Sequence, residues 1–242
     1  MNRIILLGTG TCQLLSARIA SSALIELDGL RILFDIGRGV ASRIAEHGLL
    51  QADLEHIVIS HFHQDHISDL IPYLHAGAWS RVDPRSKDLH IYGPLGVEVQ
   101  VMRILSLFGP EELNRSHYKI FIHELRGDEL LIGNKKFDFI SLPPANNHGL
   151  RFKLGNKIFA LAADSYFHQE LLQFLNGVDE AVFDAGHLTE DEIIDLAVKT
   201  QVNTLWCSHL YSELDVNKLN TLANKRGYQG ELKLAYDKLI LT

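Results

Sequence analysis

Four residues of the kind that bind metals or move protons, His61, Asp164, Asp184 and His209, each follow directly on a short apolar run. The runs are HIVIS, KIFALAA, EAVF and NTLWCS, and each reads as a buried β-strand. If the carboxyl ends of those strands point the same way, the four side chains gather on one edge of the fold, where loops commonly build sites on layered α/β scaffolds.

The rest of the chain supplies partners for such strands. RIILLG, SALIEL and RILFDIG read as strands, GVASRIAEHGLL and SDLIPYLHAGAW as helices, HIYG as a strand, VEVQVMRILSLF as a helix and KIFIHEL as a strand. Gly133-Asn134 and Gly155-Asn156 are two-residue turn signals that predict β-hairpins. In the second hairpin, pairing Leu154 with Lys157 sets His148 opposite Ala163 and beside Asp164, within the ~5–7 Å reach of cross-strand neighbours. Helices follow in FHQELLQFL, TEDEIIDLAVKT and DVNKLNTLANKRG, the second opened by a Thr189/Glu192 capping box. Strands and helices in both halves predict two sheets face to face with helices outside, a four-layer αββα sandwich over residues 1–242 as one domain. RVDPRSKD, residues 81–88, is the least regular stretch and is expected on the surface.

Composition narrows the function classes. With 23 basic and 30 acidic residues the net charge is −7, which argues against broad attraction to nucleic acid. Two cysteines, Cys12 and Cys207, are too few for a disulfide framework. No apolar run approaches the ~18 residues of a membrane helix, so a cytoplasmic protein without a membrane partner is expected.

The densest chemistry is HFHQDH after HIVIS. In extended chain, residues two apart point the same way, so His61 and His63 can present two imidazoles to one ion, while Asp65 and His66 aim elsewhere and suit a second. His148, Asp164 and His209 are the remaining candidates. The expected division is His61, His63 and His148 on one ion and Asp65, His66 and His209 on the other. Asp164 lies between, because a carboxylate offers one oxygen to each cation. Two cations ~3.5–4 Å apart can hold a hydroxide nucleophile and stabilise charge on attacking and leaving oxygens, which implies hydrolysis. Asp184 and His187 lie in VFDAGHLTEDE. His187 is either a proton donor to a leaving oxygen or a loop histidine packed on the helix cap. Asp35, in LFDIGRG, either orients a ligand histidine or caps a turn.

Taken together, HFHQDH, His148, Asp164 and His209 resemble the metallo-β-lactamase superfamily. GTGT followed by Arg18, Ser21-Ser22 and ILFDIGRG resembles its RNase Z branch. The resemblance covers essentially the whole chain. It implies an αββα fold, a dinuclear site and hydrolysis of phosphodiesters, with Asp65 also orienting the nucleophilic water and His187 acting as the proton donor. It also implies a homodimer.

Departures from the branch bear on substrate. Its tRNA-processing members carry a Gly/Pro-rich arm between the third histidine and the bridging aspartate, whereas here only a tight hairpin lies between His148 and Asp164. CQLLSARIA, HLYSEL and Arg38 also differ from the branch's usual loop, its Arg-Tyr and its acidic residue. The expected substrate is therefore a small or cyclic phosphodiester or a short nucleic-acid end, with no tRNA clamp. A hydrolase of a thioester, lactone or other acyl substrate is the alternative, and a metal-stabilised non-catalytic binding module ranks last. Zn2+ is the expected ion, with Mn2+ or Fe fitting the same ligands.

Overall fold

The computed structural model of the protein describes residues 2–106, 117–127, 129–143 and 147–242. Two seven-stranded mixed sheets stack with helices on both outer faces. The first has the order β14-β1-β2-β3-β4-β5-β6 and the second β13-β12-β11-β10-β9-β8-β7. The first is built from β1 (Arg3–Gly8), β2 (Ser22–Leu27), β3 (Leu30–Phe34), β4 (His56–Val58), β5 (Leu89–Gly93), β6 (Ile120–Glu124) and β14 (Leu239–Leu241). The second holds β7 (Glu129–Ile132), β8 (Lys135–Leu142), β9 (Asn147–Leu154), β10 (Lys157–Leu161), β11 (Glu180–Asp184), β12 (Thr204–Ser208) and β13 (Glu231–Leu234).

Period-two alternation explains the layering. Odd and even positions of each strand face opposite ways, and Ile4, Leu6, Ile25, Ile32 and Val58 of one sheet meet Phe137, Phe139, Leu150, Phe152 and Phe159 of the other in the central core. On the outer face of the first sheet, Leu24, Leu33, Ile57 and Ile91 receive α1 (Val40–Glu46), α3 (Leu70–Trp79) and α4 (Val97–Ser106). The short α2 (Gln64–Ile67) precedes α3. On the second sheet, Ala160, Ala181, Phe183 and Leu205 receive α5 (Gln169–Leu175), α6 (Glu190–Thr200) and α7 (Val216–Lys225). Three apolar layers between four structural layers make the expected αββα sandwich.

Leu154 pairs with Lys157 and Leu150 with Leu161, the register expected for the Gly155-Asn156 hairpin. Ile132 pairs with Lys135 across Gly133-Asn134. The Thr189 hydroxyl accepts from the Glu192 amide while the Glu192 carboxylate accepts from the Thr189 amide, closing the capping box of α6. The last two residues of the helix expected over VEVQVMRILSLF lie outside the described residues. The stretch 81–88 is not wholly on the surface. Arg85 is buried, its guanidinium donating to the Leu54 carbonyl and the Tyr73 hydroxyl and lying over the Tyr73 and Tyr118 rings. The strand-rich tail expected after the last helix is present as β13 and β14, but its division between the sheets was not foreseen: after β13 the chain crosses to the first sheet, where β14 pairs antiparallel with β1.

For the site, direction matters most. β3, β4, β5 and β6 run parallel, as do β10, β11, β12 and β13, so their carboxyl ends share one edge of the sandwich. β9 runs antiparallel to β10, which brings its first residues to that same edge.

An ion triad on the first sheet offers a test of the packing. Glu26 sits between Arg3 on β1 and Arg31 on β3, with Nε–O distances of 2.5 and 2.8 Å. Burial works against its charge, but the two guanidinium hydrogen bonds outweigh it and hold the carboxyl below its ordinary 4.5. A lowered carboxylate contributes stability in full above the ordinary value, and that contribution fades as pH falls through the folded value. Glu26→Gln is expected to cost about 1 kcal/mol at neutral pH and little near pH 2–3. Denaturant midpoints measured across that pH range check it.

Candidate metal and proton-transfer site

The cleft is assembled from the ends of strands in both sheets. Ser60, His61, His63, Asp65 and His66 follow β4, Asp164 follows β10, Asp184 ends β11 and His209 follows β12. Asp35 and His209 both adopt left-handed backbone, φ 62 and φ 54, immediately after their strands. Such a conformation costs a non-glycine residue roughly 1–3 kcal/mol and persists where its surroundings enforce it. Here it turns each side chain sharply into the cleft.

Asp164 is the hub. Its Oδ2 lies 3.6 Å from both His61 Nε2 and His63 Nδ1, while its Oδ1 lies 3.0 Å from His66 Nε2 and 3.4 Å from His209 Nε2. Asp65 Oδ2 is 3.3 Å from His209 Nε2 and 3.9 Å from His66 Nε2. One oxygen of the carboxylate thus faces His61 and His63. The other faces His66 and His209, with Asp65 alongside. His61, His66, Asp164 and His209 are buried, whereas the His63 side chain is 68% exposed and forms the open side.

These atoms lack ordinary partners. His61 Nε2, His66 Nε2 and Asp164 Oδ1 are buried without a hydrogen bond, the 3.0 Å approach of the last two being poorly aligned. An unpartnered buried polar atom costs about 1–3 kcal/mol, and several aimed into one space make a donor set that a cation would satisfy. The nitrogen and carboxylate ligands fit a divalent transition metal.

Behind them stand two carboxylates, one in each sheet. Asp35 accepts from the Ser60 amide and hydroxyl, each at 2.7 Å, and meets His66 Nδ1 at 2.7 Å. With its proton committed to Asp35, the Ser60 hydroxyl accepts from His61 Nδ1 at 2.9 Å. That fixes the His61 tautomer with a free lone pair on Nε2. Asp184 does the equivalent on the other side. Its Oδ2 binds His187 Nδ1 at 2.6 Å, its Oδ1 accepts from the Gly186 and His187 amides, and His209 Nδ1 lies 3.4 Å away. The His187 ring stacks over His209 and meets the edges of Tyr166 and Tyr211.

The protonation states follow from this crowding of charge. Burial disfavours charge on His66, but the carboxylates of Asp35 and Asp164 overcome it and hold the ring well above its ordinary pKa. Burial likewise opposes charge on His209, yet Asp184, Asp65 and Asp164 push it up to about 9. The Asp184 hydrogen bond raises His187 against the effect of burial. Burial raises Asp164 less than the neighbouring imidazoles lower it, and its carboxyl falls far below the usual range. On His61 burial wins and the ring is held neutral.

His148 is the second residue of β9, opposite Ser141, on the face that carries Leu150 and Phe152 into the central core. Its ring stacks on Phe139, centroids 4.4 Å apart and planes within 5°. It also lines a cavity of about 510 Å³ with Leu95, Leu125 and Arg126. On the far side of the cleft an open groove of about 900 Å³ runs between Leu14, Leu15 and Arg18 and the Tyr211–Leu214 segment.

Sequence reasoning missed the residues that let the parts approach. A Cβ on Gly37 would overlap the Asp65 carbonyl oxygen, and one on Gly186 would overlap that of His209. Both glycines close the same Phe-Asp-x-Gly pattern, Phe34-Asp-Ile-Gly37 and Phe183-Asp-Ala-Gly186, each at the end of a strand. The repeat was the available signal: a carboxylate that holds a histidine, then a glycine that admits a ligand-bearing loop. Ser60, directly before HFHQDH, was also overlooked.

Known proteins resemble this chain in part and in whole. The family model described as Anti-Pycsar protein Apyc1 matches residues 2–96. Ribonuclease Z of Streptococcus pneumoniae strains is 37% identical over 127 residues. That stretch is 51% of this chain and 40% of the relative, so the match spans less than half the length of those relatives. Among solved structures, the metallo-beta-lactamase fold protein YhfI from Bacillus subtilis superposes with a TM-score of 0.80 at 20% identity, covering 99% of this chain and 98% of that one. A diphosphatase from the PhnP family gives 0.73 at 18%, covering 100% and 98%. The short form of human tRNase Z gives 0.71 at 18%, covering 99% and 98%.

The close approach at Gly186 is testable without any assay of function. Gly186→Ala is expected to lower stability by about 1–3 kcal/mol, the range for steric overpacking. Gly127→Ala, where among the described residues nothing stands within 4 Å of the added carbon, is the near-neutral control. Urea unfolding of both variants checks the difference.

Proposed function

We propose that this chain, which has the metallo-β-lactamase fold, is a dinuclear metal-dependent hydrolase acting on small phosphodiesters. The observation that carries the reading is the Asp164 carboxylate, whose two oxygens face two different sets of ligand atoms. We assign His61, His63 and His148 to one ion and Asp65, His66 and His209 to the other, with Asp164 shared. His148 sits on the correct face and edge, and its ring must turn from Phe139 to join the set. Ligands from both sheets meet in one cleft, which supports reading residues 1–242 as a single domain.

Two bound cations would supply Lewis acidity and activate a water molecule. The chain's own residues do the remaining work. Asp65, alongside His66 and His209, orients that water. Asp35, directly and through Ser60, keeps His66 and His61 aimed into the cleft. Asp184 holds the Nδ1 proton of His187, so the opposite nitrogen carries the proton delivered to the leaving oxygen. The raised pKa of His187 keeps that proton in place near neutrality.

The surroundings favour a small substrate. The interval between His148 and Asp164 is filled by β9, a two-residue turn and β10, which supports the absence of a tRNA-gripping arm. Arg18 donates to the Thr9 hydroxyl and the Ala235 carbonyl, and Arg38 to the Gln13 carbonyl, so part of each guanidinium's donor set is already held by the chain itself. Apolar Leu14 and Leu15 remain exposed beside the cleft. That apolar groove favours a second reading, an acyl substrate such as a thioester or lactone. Zinc is the preferred ion on the histidine-rich set, ahead of manganese or iron. The two free cysteines accord with a reducing cytoplasm, and no described helix is long and apolar enough to cross a membrane. A homodimer is the assembly we expect.

Purified protein should contain about two metal ions per chain and cleave bis(p-nitrophenyl) phosphate. Asp164→Asn should lose at least one ion and nearly all activity. His187→Ala should keep both ions while kcat falls about a hundredfold or more, the usual scale for a lost general acid. Elemental analysis and a parallel panel of phosphodiesters, thioesters and lactones decide the matter. A two-metal protein inert on every phosphodiester would overturn the reading, and turnover of acyl esters alone would install the second.

A further inference from the structure

The segment that crosses from β13 to β14 is tied to both sheets by its backbone. The Ala235 amide donates to the Cys207 carbonyl on β12 at 2.9 Å, and the Lys238 amide donates to the Leu6 carbonyl on β1 at 2.7 Å. Between those ties lies Asp237, whose side chain is 8% exposed. Its Oδ1 accepts from the Thr9 amide at 2.9 Å and the Thr9 hydroxyl at 2.8 Å. Its Oδ2 accepts from the Ile19 amide at 2.9 Å, with Arg43 Nη2 at 3.5 Å. Nothing in the proposed hydrolysis uses this carboxylate.

Thr9 is buried and is held from a second direction as well. Arg18 Nη1 donates to its hydroxyl and, at 2.8 Å, to the Ala235 carbonyl of the crossing segment. The hydroxyl therefore accepts from a guanidinium while donating to a carboxylate, and charge-assisted bonds in series reinforce one another. With its amide and hydroxyl both fixed, Thr9 presents its carbonyl in one direction, where it accepts from the His209 amide at 3.0 Å.

That bond joins the two sheets, since Thr9 follows β1 and His209 follows β12. The left-handed backbone of His209, φ 54, must be enforced by its neighbours. Its amide is restrained by Thr9, and its carbonyl packs so closely on Gly186 that a Cβ there would stand 1.9 Å away. Ligand atoms need placing to within about 0.5 Å. A shift at Thr9 would carry His209 Nε2 away from Asp65 and Asp164, which it meets at 3.3 and 3.4 Å. His61 and His63 follow β4 and would keep their places. We propose that Asp237 is a positioning residue for the cleft, fixing the backbone of His209 through Thr9. It thereby governs the affinity of the ion assigned to Asp65, His66 and His209 and leaves the other ion to its own ligands, a selectivity that rests on the two-ion reading above.

The test uses the full chain, prepared metal-free and titrated with Zn2+ by calorimetry. Asp237→Ala should weaken one ion about 10- to 100-fold, the usual scale when support behind a ligand is lost, and leave the other unchanged. The weakened ion should be the one that Asp65→Ala also weakens. Asp237→Asn keeps one oxygen for Thr9 but sets an NH2 against the Ile19 amide, and it should fall between the two. A readout without metal is amide exchange of the apo-protein by NMR, where His209 should exchange about tenfold faster in Asp237→Ala. Tyr228→Phe is the control: it removes a buried bond to the Val202 carbonyl, before the amino end of β12, and should change neither readout. Thr9→Val cuts only the hydroxyl link and should move both readouts the same way by less, which keeps the comparison decisive if Asp237→Ala does not fold. Equal weakening of both ions, or His209 exchange no faster than in Tyr228→Phe, overturns the proposal. Failure to bind any metal bears on the hydrolase reading alone, because the exchange comparison decides the coupling without it.

Discussion

Asp164 makes the separation of the two sheets a chemical quantity. Its carboxylate is delivered by β10 of the second sheet, while His61, His63 and His66 are delivered by β4 of the first. The central core of Ile, Leu and Phe side chains therefore does more than exclude water. It sets the distance at which an oxygen from one layer meets nitrogens from the other, and a close-packed interior holds such a distance far more tightly than a surface loop could.

Each sheet supports its share of the cleft by the same means. A strand ends in Phe-Asp-x-Gly; the aspartate accepts backbone amides and clasps a histidine, and the glycine lets the loop carrying another ligand press close. Asp35 serves His66 and, through Ser60, His61, while Asp184 serves His187 and lies beside His209. Buried carboxylates and imidazoles in such number are tolerable only with balancing charge. Without cations, protons on His66, His209 and His187 provide it, so metal binding at this cleft exchanges protons for ions.

Much of this was legible in the chain. Alternation and Gly-Asn turns placed the strands and hairpins, and the position of His61, Asp164, Asp184 and His209 after apolar runs foretold a common edge. What stayed hidden depends on tertiary approach. Gly37 and Gly186 look like ordinary loop glycines until another segment's carbonyl is seen against them. Arg85 sits in a stretch of Asp, Pro, Ser and Lys that reads as solvent-exposed, yet two tyrosine faces and a carbonyl draw it inside. The hairpin that carries His148 has the expected register as far as Leu150 and Leu161, but register fixes only the Cβ direction, and the His148 ring lies on Phe139.

The crossing of the chain from β13 to β14 has a consequence for how the protein comes to exist. β14 completes the first sheet against β1, joining residues at opposite ends of the numbering, Ile4 with Leu241. Asp237, in the crossing segment, accepts from the amides of Thr9 and Ile19, and Thr9 in turn accepts from the His209 amide. Contacts so distant along the chain form late, after the loop-closure cost has been met. During synthesis the histidine cluster after β4 would emerge long before the strand that closes its sheet. The nascent chain therefore exposes the histidines proposed as metal ligands before the sheet that fixes their geometry is closed.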